Sequence, residues 1–154
     1  MNPEFYITDE QIAKAREKGA CDPALTWAEK ERDWRKISAD CLGWDAANTK
    51  LCPLEVLIEL FRNEDTDVRC SVARHPNTPA EVLTILSKDL DWPVRVFVAE
   101  NPNTPIRILT ELSKDNWYVR CSVARNPNTP TEVLFELSKD SSGYIRNLIY
   151  LIKN

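Results

Sequence analysis

The stretch that decides the fold is residues 68–89, VRCSVARHPNTPAEVLTILSKD. It returns as VRVFVAENPNTPIRILTELSKD at 94–115 and as VRCSVARNPNTPTEVLFELSKD at 119–140. The pairs Val68-Arg69, Val94-Arg95, Val119-Arg120 and Ile145-Arg146 therefore recur at spacings of 26, 25 and 26. Counting back 26 from Pro79 lands on Pro53, which opens PLEVLIEL and matches PAEVLTIL and PTEVLFEL. The repetition thus begins before its first full copy. A fixed period of this length is the signature of stacked repeats.

Each copy divides at its His-Pro or Asn-Pro, because the residue before proline avoids the helical region. The second half predicts a helix of about three turns. Thr78 and Thr129 are placed to cap it, and Pro79 and Pro130 fall at its first position. Glu81 and Glu132 stand three after the cap, which completes a capping box. Arg107 replaces that glutamate in the middle copy, and Cys52 precedes Pro53. Val82, Leu83 and Leu86 make one apolar stripe, repeated at Val133, Leu134 and Leu137. The first half, with Val68, Val72 and Ala73 and their equivalents, predicts a shorter segment. Both α and 3₁₀ remain open for it.

Neither segment can bury its stripe alone. Stacking the copies makes one continuous apolar seam, so the expected fold is an all-α solenoid of short helix pairs (α/α or α/3₁₀). Leu83, Leu109 and Leu134 are expected at the repeat interfaces. Residues 1–41 read as a helical N-terminal cap. Repeats follow at about 42–67, 68–93, 94–118 and 119–144, and a closing helix at 145–154 carries Ile145, Leu148, Ile149 and Ile152. In the cap, Thr8 with Gln11 and Thr26 with Glu29 form capping-box patterns, and Gly19 would end the first helix. Trp27, Trp34 and Cys41 fall every seven residues as a sealing stripe. Leu42 to Asn48 reads as a degenerate first helix. No linker divides the chain, so one continuous domain is expected.

Composition narrows the function. The 154 residues are 43% hydrophobic and 29% charged, as in an ordinary soluble domain. Net charge is −4, from 20 basic and 24 acidic residues, which disfavours a nucleic-acid binder. No apolar run reaches the length of a membrane span. Residues 1–20 hold Glu4, Asp9, Glu10 and Glu17 and no apolar stretch, so no secretory signal is expected. Five cysteines without framework spacing fit a reducing cytoplasm. Three glycines, one histidine and no HExxH, GxSxG or CxxC motif argue against an enzyme.

The string V-R-x-x-V-A-x-N-P-N-T-P-x-E-V-L-x-x-L-S-K-D resembles the leucine-rich repeat variant family, over about residues 42–154. It is also similar to HEAT-type repeats, in which an Asp precedes a Val-Arg pair. The resemblance implies a right-handed α-solenoid and no fixed activity. In some members of that family grouped N-terminal cysteines hold an iron–sulfur cluster. The matching set here would be Cys21, Cys41, Cys52 and Cys70, whose spacings depart from the close pattern such clusters use. No cofactor is expected. Cys70 and Cys121 share a repeat position with Val96, which marks a packed apolar site.

Several columns recur on the repeats. Arg69, Arg95, Arg120 and Arg146 form a column that could bind an acidic ligand, but the first three have aspartates just before them, which predicts an internal Arg–Asp ladder between repeats. Asn77, Asn103 and Asn128 read as turn residues bonding their own backbone. Trp92 and Trp117 each stand two before a Val-Arg, with Tyr118 and Tyr144 extending an aromatic edge. That edge has two readings, a set of partner anchors or packing over the loops. Arg74, Glu100 and Arg125 alternate in sign on an exposed column, and Glu111 and Glu136 belong to an acidic row. The expected partner-binding set is Trp92, Trp117, Tyr118, Tyr144, Glu100, Glu111 and Glu136.

The expected function is a cytoplasmic, non-enzymatic protein-binding solenoid. Its sharper form is an immunity-type protein that neutralises a basic partner, such as a bacterial nuclease toxin, by occluding its active site. An iron–sulfur or redox protein on the same solenoid is the alternative. Neither nucleic acid nor membrane is an expected partner.

Overall fold

The computed structural model describes residues 7–17, 29–30 and 54–153. Every regular element among them is helical. They belong to two compact units, Met1–Thr78 and Pro79–Asn154. Gly19, Cys21, Thr26, Trp27, Trp34, Cys41, Cys52, Pro53 and the Leu42 to Asn48 segment, all used in the sequence reading, lie outside the described residues.

In the first unit the helices are α1 (Asp9–Glu17), α2 (Leu54–Leu60) and α3 (Thr66–Arg74). The expected capping box opens α1. Gln11 donates its backbone N–H to the Thr8 hydroxyl at 3.2 Å, and Thr8 donates its own to the Gln11 side-chain oxygen at 2.9 Å. Ile7 and Ile12 are buried on either side of that turn. Helix α2 packs on α3, and Leu57, Leu60, Val68, Val72 and Ala73 are buried. Asp65 caps α3 by accepting the Asp67 N–H at 2.9 Å.

The second unit holds α4 (Ala80–Leu86), α5 (Trp92–Glu100), α6 (Ile106–Leu112), α7 (Trp117–Arg125), α8 (Thr131–Leu137) and α9 (Gly143–Lys153). The first helices of successive repeats lie side by side, α5 on α7 and α7 on α9. Each second helix bridges two of them: α6 touches α5 and α7, and α8 touches α7 and α9. This is the helix packing of an α-solenoid, and it buries the seam the repeats share. Val94, Val98, Ile108, Leu109, Leu112, Val119, Val123, Ile145 and Ile149 carry that core.

Three local expectations change. The first helix of each repeat is α-helical and has nine residues, while the second has seven. The threonine hydroxyls reach backward. Thr78, Thr104 and Thr129 donate their hydroxyls back to Val72, Val98 and Val123 carbonyls at 2.5, 2.5 and 2.6 Å. Those carbonyls lie in last turns, where each otherwise receives only the C-cap N–H of His75, Asn101 or Asn126, shared with the preceding carbonyl. Pro79, Pro105 and Pro130 take the N-cap positions, extended, without a side-chain cap bond. The turn bond also belongs to the residue two before the one expected. Asn101 and Asn126 side chains accept the Asn103 and Asn128 N–H groups at 2.9 and 2.8 Å. His75 does the same with Nδ1 toward Asn77, at 3.1 Å. That geometry leaves its ring proton on Nε2.

The Arg–Asp ladder is present, with a fixed direction. Arg95 donates Nε and Nη2 to the Asp115 carboxylate at 2.7 and 2.9 Å. Arg120 does the same to Asp140 at 2.7 and 3.0 Å. The third arm of each arginine, Nη1, returns to its own repeat: to Asp89 O and Leu90 O from Arg95, and to Asp115 O from Arg120. Each arginine thus ties its own loop and clamps the next.

These pairs make stability depend on pH. Hydrogen bonding to arginine holds the Asp115 and Asp140 carboxyls below the ordinary value of 3.8, against the opposing effect of burial. The native state therefore prefers the ionised form. Its stabilisation is complete above the ordinary value and drains away as pH falls from there through the lowered native one. Asp140→Asn is expected to cost about 1–3 kcal/mol near neutrality. Its stability curve should meet the parent's in acid. Urea melts from about pH 6 to about pH 2.5 would show it. Parallel curves would mean the pair contributes no linkage.

Candidate functional site

The first helices present one face away from the seam, and the second unit's aromatics gather there. Trp92 and Trp117 begin α5 and α7, and Tyr144 is the second residue of α9. Asn116 accepts the Val119 N–H at 3.2 Å and so fixes where α7 starts. Pro93 falls in the first turn of α5, where its missing N–H costs nothing.

The rings form a connected row. Tyr118 stacks on Trp92 with centroids 4.5 Å apart and planes 20° apart. Trp117 meets Tyr118 edge-on at 4.8 Å and Tyr144 at 5.7 Å. The Trp117 indole N–H donates to the Ser142 hydroxyl at 2.9 Å. Arg125 donates to the Tyr144 hydroxyl at 2.6 Å and lies 5.8 Å from its ring centroid. The packing reading of the edge holds in part. The rings pack on one another, yet Trp92, Trp117, Tyr118 and Tyr144 remain 43, 39, 54 and 51% exposed.

Beside the row lies an open cleft of about 280 Å³ lined by the four aromatics, Val96, Glu100, Cys121, Ser122 and Arg125. The Ser122 hydroxyl donates to Glu100 at 3.1 Å across the repeat step. One carboxylate and one guanidinium thus flank an aromatic wall, which suits a peptide surface carrying apolar groups and mixed charge. Burial pushes the Cys121 thiol up, so it stays protonated and is a poor nucleophile.

Five of the seven expected residues line this cleft: Trp92, Trp117, Tyr118, Tyr144 and Glu100. Glu111 and Glu136 do not. They sit on α6 and α8, and Glu136 lines a second cleft of about 380 Å³ with Lys114, Glu132 and Asp140. Sequence reasoning missed Val96, Cys121, Ser122 and Arg125 as cleft residues. Their signal was present: 117, 118, 121, 122 and 125 share one face at helical spacing. Of the four cysteines weighed for a cluster, Cys70 is buried in α3, and the other three lie outside the described residues. No group of three or more metal-ligating side chains occurs among the described residues. No helix among them is long and apolar enough to cross a membrane.

The leucine rich repeat variant family model matches the chain twice, at residues 66–91 and 117–142. No curated protein and no solved structure matches it. Repeats of this HEAT-like helical type are typically non-catalytic scaffolds compatible with protein binding. The 25–26-residue period, the helix pairs and the family match agree: the chain carries leucine rich repeat variant repeats at residues 66–91 and 117–142.

Proposed function

We propose that the chain is a non-enzymatic protein-binding module whose partner docks on the aromatic edge of α5, α7 and α9. One observation carries this reading. Four large aromatics stay 39–54% exposed around a cleft that also holds Glu100 and Arg125. Aromatic residues in such clusters supply most of the energy at protein interfaces. Glu111 and Glu136, on the other helix row, are proposed to act at longer range by attracting a basic partner. The finer reading is an immunity-type role against a basic bacterial toxin such as a nuclease. It rests on the net charge of −4, which speeds encounter with a basic surface.

Trp92→Ala with Trp117→Ala is the test. The double variant should keep the parent's helical circular dichroism and weaken partner affinity at least about 30-fold. Binding is read by titration against the partner recovered from native lysate, at rising salt. Glu111→Lys with Glu136→Lys should slow association and flatten the salt dependence, leaving dissociation nearly unchanged. Unchanged affinity in the tryptophan variant would remove the edge as the docking site. A partner that is not basic would remove the toxin reading and leave the binding module standing.

A further inference from the structure

Two equivalent steps of the aromatic row differ in the charge they carry. Arg74, Glu100 and Arg125 hold the same place in successive copies, six residues after the valine of each Val-Arg pair. In the step from α7 to α9, Arg125 crosses to Tyr144. It donates to the tyrosine hydroxyl at 2.6 Å and sets its guanidinium carbon 5.8 Å from the ring centroid. An aromatic ring attracts a cation to its electron-rich face. The step from α5 to α7 repeats the ring but not the cation. Tyr118 stands where Tyr144 stands, directly before the Val-Arg or Ile-Arg pair, and Glu100 stands where Arg125 stands.

Glu100 is exposed, and the Ser122 hydroxyl on α7 donates to its Oε1 at 3.1 Å. No lysine or arginine pairs with it among the described residues. Its carboxylate keeps lone pairs for further donors. It lines the same open cleft as Trp92, Trp117 and Tyr118. Tyr118 is already stacked on Trp92 and met edge-on by Trp117, so these rings hold their places before anything binds. A carboxylate fixed beside an assembled aromatic wall is the complement of a flat cation.

We infer that the side of the cleft built by Glu100, Tyr118 and Trp92 takes an arginine side chain of the partner protein. This rests on the aromatic edge being the docking site, and it names the group that the edge reads. The chain supplies the template, because its equivalent step sets an arginine on a tyrosine. Guanidinium suits the place better than ammonium. It is planar, stacks on aromatic faces and offers paired donors to a carboxylate, whereas a lysine head is a strongly hydrated point charge. Arg125 lines the α9 side of the cleft and is engaged on Tyr144, so its charge turns an incoming arginine toward Glu100. The net charge of −4 favours a partner rich in such side chains.

The probe is Nα-acetyl-arginine amide, titrated into the full chain. Binding is read from the NMR shifts of the Trp92 and Trp117 indole N–H groups, assigned with Trp92→Phe and Trp117→Phe. Saturable binding with a Kd of about 1–10 mM is expected for a single side chain. The neutral citrulline analogue should bind at least about tenfold more weakly, and the lysine analogue at least about threefold. Glu100→Gln should weaken arginine binding at least about fivefold, while keeping an acceptor for Ser122. Glu100→Arg restores the residue of the flanking copies and should abolish binding, since the chain then fills its own step. No saturation by about 50 mM probe, equal binding of the citrulline or lysine analogue, or full binding to the E100Q variant would overturn the inference. So would tighter binding of Nα-acetyl-glutamate amide, which would make Arg125 the recognising group. The docking reading is judged separately, in the partner titration. A tryptophan double variant that binds the partner normally removes the edge. Loss of binding in that variant, with normal partner binding by E100Q, keeps the edge and removes the arginine.

Discussion

Leu109→Ala is expected to destabilise the fold by about 2–5 kcal/mol, whereas Leu134→Ala should cost only about 1–2 kcal/mol. The two leucines hold the same place in the repeat. Their environments differ. Leu109, on α6, is fully buried, and α6 lies between α5 and α7. Truncating it removes an apolar side chain and leaves a cavity that two neighbouring helices cannot close without moving. Leu134, on α8, is partly exposed, and water can enter the space its truncation leaves. Urea titration followed by helical circular dichroism would measure both. Equal losses would mean that the partial exposure of Leu134 does not lower its contribution to the fold.

The same pair marks how far the sequence was legible. Periodicity places Leu83, Leu109 and Leu134 together, since repetition carries information about equivalent positions. It carries none about how fully each copy is covered, so it predicts Leu134 to be as buried as the others. The Arg–Asp ladder was legible because arginine beside recurring aspartate has few other uses in a repeat. Its direction was not. The aspartates nearest in sequence give each arginine mainly carbonyl oxygens, and the carboxylate comes from 20 residues further on. The aromatic edge is found through Trp92 and Trp117, but the stacking partner of Trp92 is Tyr118, from the next repeat. Glu111 and Glu136 fall on the other helix row. A column read along the repeats does not say which row it belongs to.

The threonine at each Pro-Asn-Thr-Pro is the clearest case of a local pattern with two solutions. A threonine three residues before a glutamate fits a capping box. The same hydroxyl, six residues after the valine, can also reach back to a helix-end carbonyl. The carbonyl prevails because the proline that follows is itself extended and already starts the next helix without help. The hydroxyl gives a full donor to a carbonyl that otherwise shares one C-cap N–H with its neighbour. Thr78, Thr104 and Thr129 are all buried, so their hydroxyls are spent inside the fold.

Asn126→Ala should be among the most damaging polar substitutions in the second unit, at about 2–4 kcal/mol. Its amide donates to Ala99 O at 2.7 Å and to Asn101 O at 3.0 Å, both in the preceding repeat. Its side-chain oxygen meanwhile holds the Asn128 N–H at 2.8 Å, and the residue is buried. Alanine would remove two bonds between repeats and one within the turn, and would leave two carbonyls without that donor. Asn126→Asp separates these contributions. The introduced carboxylate keeps the acceptor for Asn128, so the turn survives. It also sets an oxygen against two carbonyl oxygens, where an amide donor stood. At neutral pH the N126D variant should therefore be at least as unstable as the alanine one. Acidification should restore part of the loss, because a protonated carboxyl regains one O–H donor. The sign is opposite to that of the ladder. In the folded N126D variant the new carboxyl would titrate above the ordinary carboxylate range, and the variant would gain stability relative to the alanine one as pH falls through it. Melting both variants between about pH 7 and about pH 4 would read this directly. If the N126D variant matched the parent at neutral pH, the amide would not be the donor that joins the repeats.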